Sequence, residues 1–155
     1  MSYIIKETVI SGTINALFSV GFFVGAFYGV SELTLGSFSE LTMDFLPQSF
    51  FVGLFAALPA SLLTLKRLKA RSIAPLTGST LPLPKSLPLR ILCFAFGSLV
   101  LFGGAAVLTL ALIEPVLVTF SVALIVKIIF ALLITLTITP LAIKSVMLNV
   151  AASQN

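Results

Sequence analysis

One lysine lies where a lysine is expensive. Lys127 sits inside the apolar run 116–139, eleven residues beyond Val116. At 1.5 Å of rise per helical residue it falls about 16 Å below the outer end of that run, near the middle of a hydrocarbon core about 30 Å thick. Inserting a central lysine costs about 2.5–3.5 kcal/mol, and at this depth the ammonium cannot reach water by stretching its own stem. It must face protein or a water-filled cavity. Ala123 at i−4 and Ala131 at i+4 leave room beside it, and Thr135 continues the same stripe. The chemistry open to such a group is binding of an anion, of a carboxylate substrate, or of an acidic residue on a partner's membrane helix. The plain alternative is that it only fixes packing.

A partner for Lys127 is sought among neutral groups, because none of the acidic residues falls inside an apolar run. Ser11, Asn15 and Ser19 recur every four residues and form a polar stripe on one helical face. Counted down from Val30, Ser19 is level with Lys127. Pro59 cannot donate to the carbonyl of Phe55, and Ser61 and Ser98 stand at similar depth. These groups predict a neutral polar nest of Lys127, Asn15, Ser19, Ser61 and Ser98.

Small residues mark places where helices can approach closely. Gly21, Gly25 and Gly29 form a ladder in the first apolar run, and Gly53, Ala57 and Ser61 repeat the spacing in the second. Lipid tails are as apolar as leucine, so helices in a bilayer associate through close van der Waals contact. The simplest reading of both ladders is contact within one bundle, followed by contact between copies of the chain.

Composition excludes many other chemistries. The 155 residues hold nine Lys/Arg, five Asp/Glu, no His and one Cys, with 59% hydrophobic and 9% charged residues. A soluble domain carries about a quarter charged residues, so this chain cannot build a water-facing surface. Without His and with only Cys93 there is no His-based triad, no Cys/His zinc cluster and no internal disulfide. No cofactor is expected, and Cys93 reads as a small packing residue. An enzyme is not expected, because no His or acid lies in an apolar run to serve as general base.

The elements that position these residues are four apolar runs, at about 9–30, 47–65, 89–113 and 116–139, each long enough for a helical crossing of about 20 residues. The first exceeds the ~7–15 apolar residues of a secretion signal and is expected to stay as a helix. The fold class is therefore all-α integral membrane: an up-down-up-down bundle of four transmembrane helices forming one domain. Between runs one and two, Phe38, Leu41 and Phe45 fall at i, i+3 and i+7, which predicts a short interfacial helix. Glu114 and Pro115 alone separate runs three and four, predicting a tight antiparallel hairpin. Residues 66–88 form a linker rich in proline that leaves the two hairpins free to arrange.

Charge assigns the sides. Lys66, Arg67, Lys69, Arg71, Lys85 and Arg90 lie between runs two and three without an acid, whereas Glu32, Glu40, Asp44 and Glu114 lie in the other two connections without a base. Basic residues favour the cytoplasmic side, which places both termini and the 66–88 loop in the cytoplasm. The cluster Lys66, Arg67, Lys69 and Arg71 is a topology signal that can also meet anionic lipid headgroups. It is too short, and lacks the stacking aromatics, for nucleic acid.

The stretches INALFSVGFFVGAF around Asn15 and KIIFALLITLTITPL from Lys127 resemble small four-span inner-membrane proteins of bacteria. The resemblance covers two of the four runs. It implies the four-helix architecture and a bacterial inner membrane, draws attention to Asn15, Lys127 and Pro140, and implies no activity. The functional expectation is an accessory or assembly subunit that binds itself or a larger membrane complex through an intramembrane polar contact at Lys127 and Asn15. The alternative is a small oligomeric transporter or channel with an anion or amphiphile site beside Lys127.

Overall fold

A computed structural model describes residues 3–78 and 81–152. It is mostly helical, and four helical stretches are long and apolar enough to cross a membrane: Tyr3–Phe27, Glu40–Lys69, Leu87–Ala111 and Phe120–Ala151. The protein is a small integral membrane helical bundle. Its elements are α1 (Tyr3–Phe27), β1 (Glu32–Leu35), α2 (Glu40–Met43), α3 (Phe45–Lys69), α4 (Leu87–Ser98), α5 (Ala105–Ala111), β2 (Val116–Thr119) and α6 (Phe120–Ala152). A π-helical segment, Leu99–Gly104, joins α4 to α5.

Helices α3 and α6 pack on each other at the centre, α1 lies chiefly against α6, and α4 lies chiefly against α3. Small side chains permit the central approach: Ala56, Ala57, Ala131 and Ala142 are fully buried between Val52, Ile134 and Ile138. On α1 the usual polarity is inverted. Its buried face carries Glu7, Thr8, Ser11, Asn15 and Ser19 before Phe23 and Phe27, while Ile10, Ile14, Leu17, Phe18 and Phe22 are exposed. Lipid takes the apolar face, and the polar face finds its partners inside the protein.

The expected tight hairpin of the third and fourth spans does not form. The chain leaves α5 and runs through β2 into α6, which packs chiefly on α3 and α1. Strand β2 pairs antiparallel with β1, in the register Glu32↔Thr119 to Leu35↔Val116. The run Val-Leu-Val-Thr is β-branched at three of four positions, and Pro115 blocks continuation of a helix from its N-terminal side. Because its residues are apolar, the strand is indistinguishable by hydropathy from the helix that follows it. Gly36, at φ +110°, brings the β1 connection against the carbonyls of Ile113 and Glu114, which a Cβ would meet at 2.9 and 2.8 Å. Leu33 of β1 then closes over Phe23, Phe27, Leu41 and Ala123.

Other boundaries also shift. Helix α1 ends at Phe27, so Gly29 (φ +80°) belongs to a turn and not to the glycine ladder. The interfacial helix shrinks to the single turn of α2, capped by Ser39, whose Oγ accepts from the Thr42 amide at 3.3 Å. Phe38 lies outside it and is exposed, whereas Leu41 and Phe45 are buried. Neither Pro59 nor Pro140 ends its helix. Helix α6 runs 33 residues, about 50 Å at 1.5 Å per residue, and passes well beyond the expected limit at 139.

The linker is not free either. Helix α3 extends through Lys69, and Ile73 and Leu76 of the following chain pack against Ile143, Val146 and Met147. Arg90, counted in the sequence as a loop charge, is buried in α4, where its guanidinium donates to the carbonyls of Pro84 at 3.1 Å, Lys85 at 3.1 Å and Ser145 at 3.0 Å. One planar fork thus ties the linker to α6.

Candidate functional site: an ion pair beneath the sheet

Because α6 starts at Phe120, Lys127 lies only seven residues into it, about 10 Å from the helix start. That is four residues nearer the helix start than the count from Val116 implied. Its side chain is 1% exposed, and its Nζ donates to Asp44 Oδ2 at 2.8 Å. The expectation of a neutral nest is therefore corrected: the partner is an acid, delivered from the junction between α2 and α3. The same short turn that Ser39 caps points Asp44 back into the bundle, with its side chain 33% exposed. Nζ also stands 3.7 Å from the centroid of the Phe45 ring, a cation–π distance. The ammonium is thus held between a carboxylate and an aromatic face.

Of the residues expected around Lys127, only Ser19 is there, and it meets the backbone. Ser19 Oγ donates to the Lys127 carbonyl at 3.4 Å. Gln48, which sequence reasoning missed, supplies the rest: its Nε2 donates to Ser19 Oγ at 2.8 Å and to the Lys127 carbonyl at 3.0 Å. Gln48 follows Asp44 by four residues on one α3 face, a spacing that was readable once Asp44 was taken as helical.

Asn15 belongs to a different layer. Its Nδ2 donates to Ser11 Oγ at 3.4 Å, and Thr139 Oγ1 donates to the same oxygen at 3.1 Å and lies 3.4 Å from the Ala56 carbonyl. This layer joins α1, α6 and α3, and it leaves Asn15 Oδ1 buried without a partner among the described residues. Ser98 abuts Gly53, where a Cβ would collide with its side chain; Gly53 is nine residues along α3 from Asp44, about 13 Å away. Ser61 is two turns further on. The hydroxyls of Ser61 and Ser98 are both buried and without a hydrogen-bond partner among the described residues.

The two small-residue ladders separate. Gly53 and Ala57 make the close contacts of α3 within the bundle. Gly21 and Gly25 do not: a Cβ on either would meet nothing within 4 Å, so their ladder faces out of the chain. Within the basic cluster, Lys66, Lys69 and Arg71 are exposed, but Arg67 turns inward. Its guanidinium lies 2.8 Å from Glu7 Oε1, a charge contact without the angle of a hydrogen bond, and 4.9 Å from the Tyr3 ring centroid. Tyr3 and Thr64 hydroxyls share a hydrogen bond at 2.9 Å. Glu7 thus corrects the expectation that no acid lies in a span: it is buried in α1, with an arginine from the end of α3 beside it.

Comparison with protein families, with curated proteins and with solved structures found no match.

Proposed function

We propose that this chain is an accessory or assembly subunit of a bacterial inner membrane, not an enzyme, and that it docks a second transmembrane helix on the outer face of α1. The observation that carries the reading is the open glycine face: among the described residues a Cβ on Gly21 or Gly25 would meet nothing within 4 Å, and exposed Leu17 and Phe22 flank them. Glycines at this spacing cost helix propensity, and close approach of another helix is the use that a membrane helix makes of them. The polar contact expected at Lys127 and Asn15 does not serve this purpose, because both side chains are enclosed by the chain's own helices. A partner therefore meets backbone and phenyl groups, not the buried charge.

Charge supports an orientation. Lys6, Lys66, Arg67, Lys69, Arg71, Lys85, Arg90 and Lys144 gather at one end of the bundle with Glu7, whereas Glu32, Glu40, Asp44 and Glu114 gather at the sheet end with Lys127. The preference of Lys and Arg for the cytoplasmic side puts both termini and the 70–86 connection in the cytoplasm. The exposed Lys66, Lys69 and Arg71 are there in reach of anionic headgroups.

Crosslinking in native membranes, followed by purification in mild detergent, tests the docking reading. Wild type is expected to be recovered with a second copy or a larger complex, and the Gly21→Ile/Gly25→Ile variant alone, with an unchanged melting curve. Recovery of wild type as a lone chain, or full retention of partners by the variant, overturns it.

A further inference from the structure

Beside the ion pair, between α1 and α3, lies a cavity of about 130 Å³. One water needs about 10–15 Å³ measured in the same way, so the space is roughly tenfold too large for a single bridging water. Its walls are phenyl rings: Phe18 of α1 stacks on Phe55 of α3 at 5.2 Å, and Phe22 on Phe51 at 6.2 Å. Its floor is polar, formed by Lys127, Asp44, Gln48 and Ser19.

We propose that this cavity binds the head of a neutral, hydroxyl-bearing amphiphile of the monoacylglycerol or long-chain alcohol class, with the tail lying along the phenyl wall. Charge excludes the obvious rivals. Asp44 already neutralises Lys127 at 2.8 Å, so an arriving anion meets a fixed carboxylate and an arriving cation meets a fixed ammonium. Hydrogen bonding then selects a donor. Gln48 spends its amide N–H groups on Ser19 and on the Lys127 carbonyl, and its Oε1 is sealed from the cavity, so the accessible acceptor in the lining is the carboxylate of Asp44. A hydroxyl placed on the floor can donate to that carboxylate, on a side chain that remains one-third exposed. The walls complete the selection: exposed Phe18, Phe22 and Phe51 accept a hydrocarbon chain and offer nothing to a second polar group. The site needs no second chain, but it shares Phe18, Phe22 and Ala26 with the outer face of α1, so its test is made on the chain alone in vesicles.

The chain contains no Trp, so Phe22→Trp places a single fluorophore on the cavity wall. In lipid vesicles, a brominated monoacylglycerol is expected to quench it saturably. Half-saturation should come at about one-tenth the concentration required by the ionised brominated fatty acid, and brominated phosphatidylcholine should quench only in proportion to its share of the lipid. Ala26→Leu, at an exposed position on the cavity rim, should abolish the saturable component. Quenching that follows bulk lipid for all three probes, tighter binding of the fatty acid, or saturable quenching that survives Ala26→Leu overturns the proposal.

Discussion

Removing Asp44 should damage this protein more than removing Lys127. At 2.8 Å the attraction between the two charges is about 6 kcal/mol for an effective dielectric near 20, and most of it offsets the desolvation of the ammonium. In Asp44→Asn the 1%-exposed lysine keeps its burial and loses its counter-charge, a change that costs about 3–5 kcal/mol when one partner of a buried pair is deleted. In Lys127→Met the stranded group is instead a carboxylate that is already one-third exposed and can turn to water, while Met fills a similar volume against Phe45. That variant should lose about 1–2 kcal/mol. The double variant should be more stable than Asp44→Asn by at least about 1.5 kcal/mol, a positive coupling of the size that contacting pairs show. The measurement is reversible unfolding in mixed detergent micelles, followed by far-UV circular dichroism for the full double-mutant cycle. Equal losses for the two single variants, or additivity in the double, would refute the assignment of Asp44 as the group that makes Lys127 tolerable.

Two further outcomes follow from close contacts elsewhere. Arg90→Lys should destabilise by about 2–3 kcal/mol, because one ammonium cannot reproduce a planar fork onto the three carbonyls of Pro84, Lys85 and Ser145; limited proteolysis should then cut the 70–86 connection faster while the helices stay intact. Gly53→Ala should cost about 1–3 kcal/mol through collision with the Ser98 side chain, and Ser98→Gly in the same chain should restore most of the loss in a thermal melt, whereas Gly25→Ala, whose Cβ meets nothing within 4 Å, should raise the melt of the isolated chain slightly through helix propensity.

Much of the fold was legible because it is written in local periodicity. Four apolar runs separated by charge or proline are enough to place four helices, and the proposed orientation rests on the segregation of Lys/Arg from Asp/Glu into different connections. Where the reading failed, it failed at edges. An apolar strand and an apolar helix have the same hydropathy, so hydropathy sets the start of the last helix at Val116, four residues ahead of its place at Phe120, and counts Lys127 four residues too far along it. Glu7 and Arg90 were assigned to aqueous flanks for the same reason: hydropathy windows end where charges begin, although a charge with a partner can lie inside the helix.

The sequence by itself determined that this is an integral membrane helical bundle, that it has no His and a single Cys, and that Lys127 is a charge deep within an apolar run. Only the tertiary structure decided what Lys127 faces. Asp44 is 83 positions away, on a connection that looked interfacial, and it reaches the ammonium because β1 pairs with β2 and draws the α2 turn over the end of α6. The same folding turned Gly53 inward onto Ser98 and left Gly21 and Gly25 facing out, although the three share one motif. Local spacing tells which residues lie on one face of a helix; which neighbour that face meets depends on how distant elements close around it, and no period along the chain records that.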